Sequence, residues 1–438
     1  MRFYDREEEL LTLESIRERS LETSCFTALI GRRRIGKTLL LLKEAEDKDT
    51  KSLYLLVGRM NERMLCEHFQ EETEKALGAR ILGKSTSFRE LFEVLMQFGQ
   101  TEPFTLILDE FQEFGNVNNA IYSDIQDIWD RYKATSRVNL IACGSIYSLM
   151  VKIFEGQKEP LFGRLSSKIV LRPFRISVIK QILSDYFPGY SNEDLLCLYM
   201  LTGGVPKYIE LLMDSAAYTK EAMIERVTTR DSVFLWEGRD LLVSDFGRDY
   251  GTYFSILKLI STGKSTQAEI DSVIGKNTGA YLYNLENDYA LISKNRPMFA
   301  PPNSRKCHWA IDDDYLRFWF RFIYPNQNLI ETGRTDLLKE IIGKGYEQYS
   351  GYVLERYFRK KLSEEGRITA IGGYWDNKGH NEIDIVALNE LDKKAIIAEV
   401  KRNSKKIDMA LLAEKSKSLS SHLHGYDIEL LGLSMEDM

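Results

Sequence analysis

The eight residues from Gly31 to Thr38 read G-R-R-R-I-G-K-T, and they stand between the apolar runs "CFTALI" and "LLLL". No other feature limits the fold so strongly. Two glycines at this spacing let a backbone curl so that its N–H groups turn inward, where they can hold an anion. A lysine and a threonine at the end of the loop, where a helix begins, add an ammonium, a hydroxyl and the positive end of that helix. The order strand, loop, helix therefore predicts a phosphate-binding loop. Its positions are Gly31, Arg32, Arg33, Arg34, Ile35, Gly36, Lys37, Thr38 and Leu39, with Lys37 on the outer phosphates of ATP and the Thr38 hydroxyl on Mg2+. The bland alternative is an ordinary strand-to-helix turn. The three arginines occupy variable loop positions. Their side chains point to solvent or reinforce the positive field of the loop.

The loop sits inside an alternation of apolar strands and amphipathic helices that runs from Cys25 to about Phe174. The strands read "CFTALIG", "SLYLLVG", "FTLILDE", "VNLIACGS" and "SKIVLRPF". Runs with hardly a polar residue are buried on both faces, which predicts an α/β fold with a parallel sheet covered by helices. The third strand ends in Asp109-Glu110. Asp109 is placed to hold the Mg2+ shell, and Glu110 to orient or deprotonate an attacking water. Taken alone, the pair reads equally well as an acidic strand end.

Bulk properties set the remaining bounds. At 438 residues the chain has room for three or four domains, and 44% hydrophobic residues can fill sizeable cores. A formal net charge of −6 is not the balance of a protein that coats nucleic acid, so any such contact is local. Five cysteines, Cys25, Cys66, Cys143, Cys197 and Cys307, are scattered without a CxxC pair, which argues against a disulfide framework or zinc site and for a reducing compartment. The start "MRFYDREEELLTL" is not a signal peptide, and no apolar run approaches the ~20 residues of a membrane span. A soluble, cytoplasmic protein is expected. The histidines His68, His308, His380, His422 and His424 do not cluster with cysteines. His422 and His424, two apart, are a weak candidate metal pair.

Beyond residue 175 the pattern changes. "ISVIKQILSDYF", "NEDLLCLYMLTGG" and "PKYIELLMDSA" carry helical spacing, and Gly203-Gly204 followed by Pro206 reads as a helix stop and restart. From Tyr250 to about Asp314 the order is helix, turn, short helix, turn, helix and hairpin, the grammar of a winged helix-turn-helix. Its third helix, "TGAYLYNLENDY", has no Lys or Arg. That favours an intramolecular or protein-binding role over DNA reading. Lys294, Arg296, Arg305 and Lys306 in the wing are the basic part. The expected partition is an ATPase core over 1–175, a helical lid over 176–237, a winged helix over 238–330 and a last α/β domain over 331–438.

Several stretches together resemble the archaeal-type ATPase family of signal-transduction P-loop ATPases, relatives of AAA+ proteins, over nearly the whole length. "FYDREEELLTL" resembles the family's F-x-x-R-E-x-E-L lead-in, with Asp5 where relatives often have Gly. "LILDEFQ" resembles its second acidic motif, and "LIACGSIYSLM" its polar sensor strand, which implies Ser145 near the γ-phosphate. "EPLFGRLSSKIVLRPF" resembles its P-L-x-G-R element, which singles out Arg164 as a cation for the transition state; the alternative is a structural salt bridge. "TGGVPKYIELL" resembles its G-G-x-P element, which implies Pro206 near adenine. "DYLRFWFRFI" resembles the box that opens the family's carboxy-terminal domain.

The last domain carries a second constellation. "EIDIVAL" and "IIAEVKR" read as strands, with Glu399 and Lys401 two apart and so on one sheet face, and the helix "GYVLERYFRKKL" carries Glu355. Together with Asp384 this resembles a PD-(D/E)xK nuclease core, with Ile383 where the proline would stand. The resemblance implies that Glu355, Asp384 and Glu399 converge on one Mg2+ and that Lys401 steadies the phosphate or positions water. Lys393, Lys394, Arg402, Lys405 and Lys406 make this the most cationic stretch, where a nucleic-acid backbone would land. The expected function is a nucleotide-dependent switch acting on a nuclease-like domain. Its rival is an ATP-regulated scaffold that binds nucleic acid or protein without cutting. An oligomer is compatible with either.

Overall fold

The computed structural model describes residues 1–46, 50–78, 80–81, 83–246, 250–301, 304, 307–376 and 381–438. Arg305, Lys306 and His380 lie outside the described residues. The chain divides into two compact units, Asp5–Arg172, and Met1–Tyr4 together with Pro173–Met438.

In the first unit β1 (Cys25–Ile30), β2 (Lys51–Leu56), β3 (Phe104–Asp109), β4 (Val138–Gly144) and β5 (Ser167–Val170) form one sheet in the order β2-β3-β4-β1-β5. Every pairing is parallel. Each residue of β1, β3 and β4 is buried, which is why their sequences carry no alternation. The helices are α1 (Glu7–Ser20), α2 (Lys37–Ala45), α3 (Glu62–Leu77), α4 (Phe88–Thr101), α5 (Phe114–Val117), α6 (Ile121–Tyr132) and α7 (Tyr147–Glu155). In α4, Ser87 caps the amino end by accepting from Glu90 N–H, and Phe88, Leu91, Phe92, Leu95 and Met96 form one buried stripe. Phe26 of β1 meets Trp129, Phe154 and Phe111 with ring centroids 5.1, 5.5 and 6.4 Å away, so one aromatic cluster pins helices to the sheet beneath the loop. The sheet order makes β1 the point where successive strands change direction across the sheet. Ligand crevices in such folds lie beyond the carboxyl ends of strands at that point.

The second unit begins with α8 (Ile176–Tyr186), α9 (Asn192–Thr202), α10 (Pro206–Asp214) and α11 (Lys220–Thr228). The α9 helix is buried from Asp194 to Thr202 and ends at Gly203, whose φ is +57°. Gly204 follows with φ +85°, and a Cβ there would lie 2.7 Å from the Phe174 carbonyl. This is the helix stop read from the sequence, and Pro206 starts α10 at its first turn. Next come α12 (Glu237–Phe246), α13 (Tyr250–Ser261), α14 (Gln267–Ile274), α15 (Gly279–Asn287) and the antiparallel pair β6 (Ile292–Asn295) and β7 (His308–Ile311). After α16 (Asp314–Phe318), α17 (Gln327–Glu331) and the long α18 (Thr335–Glu365) come β8 (Ala370–Trp375), β9 (Glu382–Asn389), β10 (Lys394–Val400), α19 (Met409–Ser416) and β11 (Asp427–Leu433).

These four strands form a mixed sheet in the order β11-β10-β9-β8. Leu354, Tyr357 and Phe358 of α18 share a core with Ile385, Ala387, Ala398 and Val400. Leu412 of α19 shares another with Val386, Leu388, Ala395 and Ile397. The two helices thus cover opposite faces. One hydrophobic cluster runs from Phe174 through α8–α11, the three-helix segment and α18. The parts separated as lid, winged helix and last domain therefore share a core. Among the described residues no helix is long and apolar enough to cross a membrane.

Candidate functional site

The loop after β1 has the geometry its sequence requires. A Cβ on Gly31 would lie 2.9 Å from Ile35 Cγ2 and 3.2 Å from the Leu171 carbonyl, so only glycine fits there. Gly36 takes φ +90° and Arg34 φ +70°, curling the chain into the start of α2. Ile35 is buried, Arg32 and Arg33 are half-buried, and Arg34, Thr38 and Leu39 are exposed. Lys37 is buried, and its Nζ donates to the Gly31 carbonyl at 2.7 Å and the Arg32 carbonyl at 3.1 Å. Burial pushes this ammonium below its usual range, while the charges of Glu110 and Asp109 pull the other way.

Asp109 ends β3, and its Oδ2 lies 3.5 Å from the Thr38 hydroxyl. A hydroxyl and a carboxylate side by side are the hard oxygen donors that Mg2+ takes, so these residues fit that ion. Tyr54 of β2 donates its hydroxyl to the same Oδ2, and the Glu110 N–H donates to Oδ1 at 2.8 Å. Burial first, then the bond to Asp109, raise the Tyr54 phenol above its ordinary value, so it remains a donor.

Glu110 adopts φ +52°, which turns its carboxylate toward the end of β4. Ser145 donates to Glu110 Oε2 at 2.6 Å, and the Gln112 amide donates to the same oxygen. β4 lies between β1 and β3, so the sheet order itself sets Ser145 between the loop strand and the acidic strand. Gly144 makes this possible: a Cβ there would stand 2.3 Å from Met150 Sδ and 2.7 Å from Gln112 Oε1.

Arg164 is not brought to this end of the sheet. Its guanidinium pairs with Asp130 of α6 at 2.9 Å and donates to the Phe162 carbonyl at 2.9 Å. The chain two residues on, at Ser166, bonds to Phe26 near the start of β1. Five residues of strand, roughly 16 Å, separate that level from Gly31. Within one chain Arg164 therefore makes the salt bridge with Asp130 and stands away from the loop. Pro206 belongs to the second unit and opens α10 there.

In that unit, Asp384 and Glu399 are cross-strand neighbours by the register of β9 and β10, which pairs Ile385 with Ala398. Lys401 Nζ lies 3.3 Å from Asp384 Oδ2 and 3.1 Å from Glu399 Oε1, so an ammonium bridges the two carboxylates. Lys415 of α19 approaches Glu399 at 3.8 Å, and the Val400 N–H donates to Asp384 at 2.8 Å. Glu355 stands on α18, which covers the other face of the sheet. It feels the cluster through charge: burial first, then Asp384, push its carboxyl up to about 7, with Arg359 and Lys401 opposing. Among the described residues no three of His, Cys, Asp and Glu form a group able to hold a metal ion. Strand alternation puts Asp384 and Glu399 on the α19 side, and α18 delivers Glu355 from the α18 side.

The cationic stretch is also divided. Lys393 and Lys394 lie at the start of β10 and Lys405 and Lys406 beyond its end, roughly 20 Å of strand apart. Arg402 pairs with Glu193 at 2.6 Å. In the segment expected to be a winged helix, Lys294 pairs with Glu286 of α15 at 2.6 Å and lies over the Trp309 ring. His422 stacks on Phe299 with centroids 4.6 Å apart. Sequence reading missed Tyr54, Gln112 and Lys415, whose roles depend on which strands and helices become neighbours.

Residues 3–212 match a family described as an ATPase domain predominantly from Archaea. Residues 319–415 match one described as archaeal bacterial proteins of unknown function. An uncharacterized protein of Methanocaldococcus jannaschii is 31% identical over 409 residues, covering 91% of this chain and 87% of its own. Among solved structures, a Walker-type ATPase of Pyrococcus abyssi superposes with a TM-score of 0.55 at 19% identity, over 73% of this chain and 96% of that one. The Aeropyrum pernix ORC2 protein gives 0.50 at 13% identity, over 75% and 94%. The chain belongs to the archaeal-type ATPase family.

Proposed function

We propose that the first unit binds and hydrolyses ATP with Mg2+, and that this cycle switches a carboxy-terminal module that engages nucleic acid. The observation that carries the reading is Lys37. It is a buried ammonium bonded to neutral carbonyls, at the amino end of α2, beside a hydroxyl and a carboxylate. Such a cation gains most when an anion arrives. Lys37 and the loop N–H groups hold the phosphates, and Thr38 and Asp109 hold the metal. Bound Mg2+ would neutralise charge on the phosphates. Glu110 takes the proton from water, and Ser145 with Gln112 holds its carboxylate ready. Arg164 serves the sheet. The Aeropyrum pernix ORC2 protein was solved as ADPNP–ADP complexes, which supports adenine nucleotides as the ligand of this fold.

For the carboxy-terminal module a second reading has specific support. Lys401 and Lys415 already neutralise Asp384 and Glu399, as suits a sheet that binds rather than cuts. The Lys294–Glu286 pair and a third helix without cations favour a protein partner for the three-helix segment. One experiment separates the readings: ATP hydrolysis and Mg2+- or Mn2+-dependent cleavage of DNA and RNA, measured side by side for wild type, Lys37→Ala and Asp384→Ala. Cleavage lost in Asp384→Ala supports the nuclease switch. Hydrolysis lost in Lys37→Ala, with no cleavage by any protein, supports the binding module. Hydrolysis unchanged in Lys37→Ala overturns the loop assignment.

A further inference from the structure

Asp109 is fixed at both carboxylate oxygens. Oδ1 accepts the Glu110 N–H at 2.8 Å, and Oδ2 accepts the hydroxyl of Tyr54 while lying 3.5 Å from the Thr38 hydroxyl. Tyr54 stands on β2 two residues before Leu56, the residue that pairs with Asp109 across the strands. Its ring is half-buried at the edge of the sheet, and its hydroxyl reaches across to the neighbouring strand. We propose that Tyr54 is a positioning residue for the metal end of the nucleotide site: its hydroxyl holds the Asp109 carboxylate in the orientation that, together with Thr38, receives Mg2+. This rests on the reading of Thr38 and Asp109 as the metal-holding pair.

The last torsion of an aspartate is broad, so a carboxylate at a strand end turns unless donors hold it. Here one donor is a backbone amide and the other a phenol on a different strand. A carboxylate oxygen has two acceptor positions, so Oδ2 accepts the hydrogen bond of Tyr54 and offers the cation or its water the position that the Thr38 hydroxyl faces at 3.5 Å. Groups that orient a metal-holding carboxylate in this way are worth about 10-fold or more in metal affinity. A tyrosine that only fastened β2 to β3 would affect stability and leave the metal dependence alone.

The test uses the full chain, as wild type and Tyr54→Phe, titrated calorimetrically with ADPNP in Mg2+ and again in EDTA. Phenylalanine keeps the ring and removes only the hydroxyl. The quantity read is the ratio of the two affinities, that is, the gain that Mg2+ brings. The expected result is a ratio reduced about 10-fold in Tyr54→Phe, with the EDTA affinity unchanged. An unchanged ratio overturns the role of Tyr54 and leaves the loop assignment standing. A fall of equal size in both buffers also overturns it, since that is loss of structure. Wild type that binds no ADPNP in either buffer overturns the nucleotide-site reading, and this proposal with it.

Discussion

At the scale of single residues, what could be read in advance was chemistry that needs one atom type at one place. Gly31, Gly36, Lys37 and Thr38 are of this kind, since a phosphate loop admits few substitutes at those positions. Asp5 stands where the family lead-in was expected to carry glycine, and its φ of +58° is the left-handed conformation that glycine takes most easily. The short G-R motif names Arg164 but not an end of the sheet, and in the single chain it pairs with Asp130. Two predictions belong here. Replacing Lys37 by alanine removes a charge-assisted contact, so nucleotide affinity should fall about 10- to 100-fold, as read by calorimetry. Glu355 predicts a pH dependence. Its carboxyl titrates at about 7 in the folded chain, raised first by burial and then by Asp384 and Glu382, with Arg359 and Lys401 opposing. An unfolded glutamate titrates near ~4.3. Between these values the folded chain binds more protons, so the stability this group contributes is full below ~4.3 and is lost as pH rises through about 7. Glutamine carries no charge at any pH. Glu355→Gln should therefore match wild type near pH 4.3 and exceed it at pH 8, by on the order of 3 kcal/mol, in urea unfolding. A gap that does not grow with pH contradicts the assignment.

At the scale of elements, β1, β3 and β4 were legible because burial on both faces leaves them hardly a polar residue. The helix restart after Gly203-Gly204 was legible because Pro206 suits a first helical turn. What could not be read was which face of the last sheet each helix covers. Alternation along β9 and β10 puts Asp384 and Glu399 on the face that α19 covers, while Glu355 comes from α18 and couples to Asp384 through charge. Tyr54 and Lys415 were invisible for a related reason, because their partners come from register between strands and from the docking of α19. Asp314 shows how much one residue can tie together. It opens α16, pairs with Arg317 at 2.9 Å and with Arg356 of α18 at 3.0 Å, and packs against the Gly203 turn that ends α9. Its side chain and that of Arg317 are almost wholly buried. Removing the carboxylate takes away the acidic partner of buried Arg317 and one partner of Arg356, which keeps its bond to the Asp312 carbonyl. Asp314→Asn should cost about 3–5 kcal/mol, seen as a lower urea midpoint for the second unit. A variant as stable as wild type would show that other groups carry those charges.

At the scale of the whole molecule, the chain is two compact units with separate cores, and the sequence marked their boundary near residue 175 as a change from strand–helix alternation to helices. The shared core of the second unit was not legible, since periodicity shows that a helix has an apolar face but not what covers it. The chemistry proposed for the first unit is a loop that holds the phosphates, Asp109 and Thr38 that hold the metal, and Glu110, clamped by Ser145 and Gln112, that activates water. The most direct test is phosphate release at saturating ATP and Mg2+, compared between wild type and Glu110→Gln. Glutamine keeps the shape of the side chain and cannot accept the proton. The account predicts that wild type turns over and that the variant is slower by about 10²- to 10⁴-fold. Equal rates in the two proteins would contradict it.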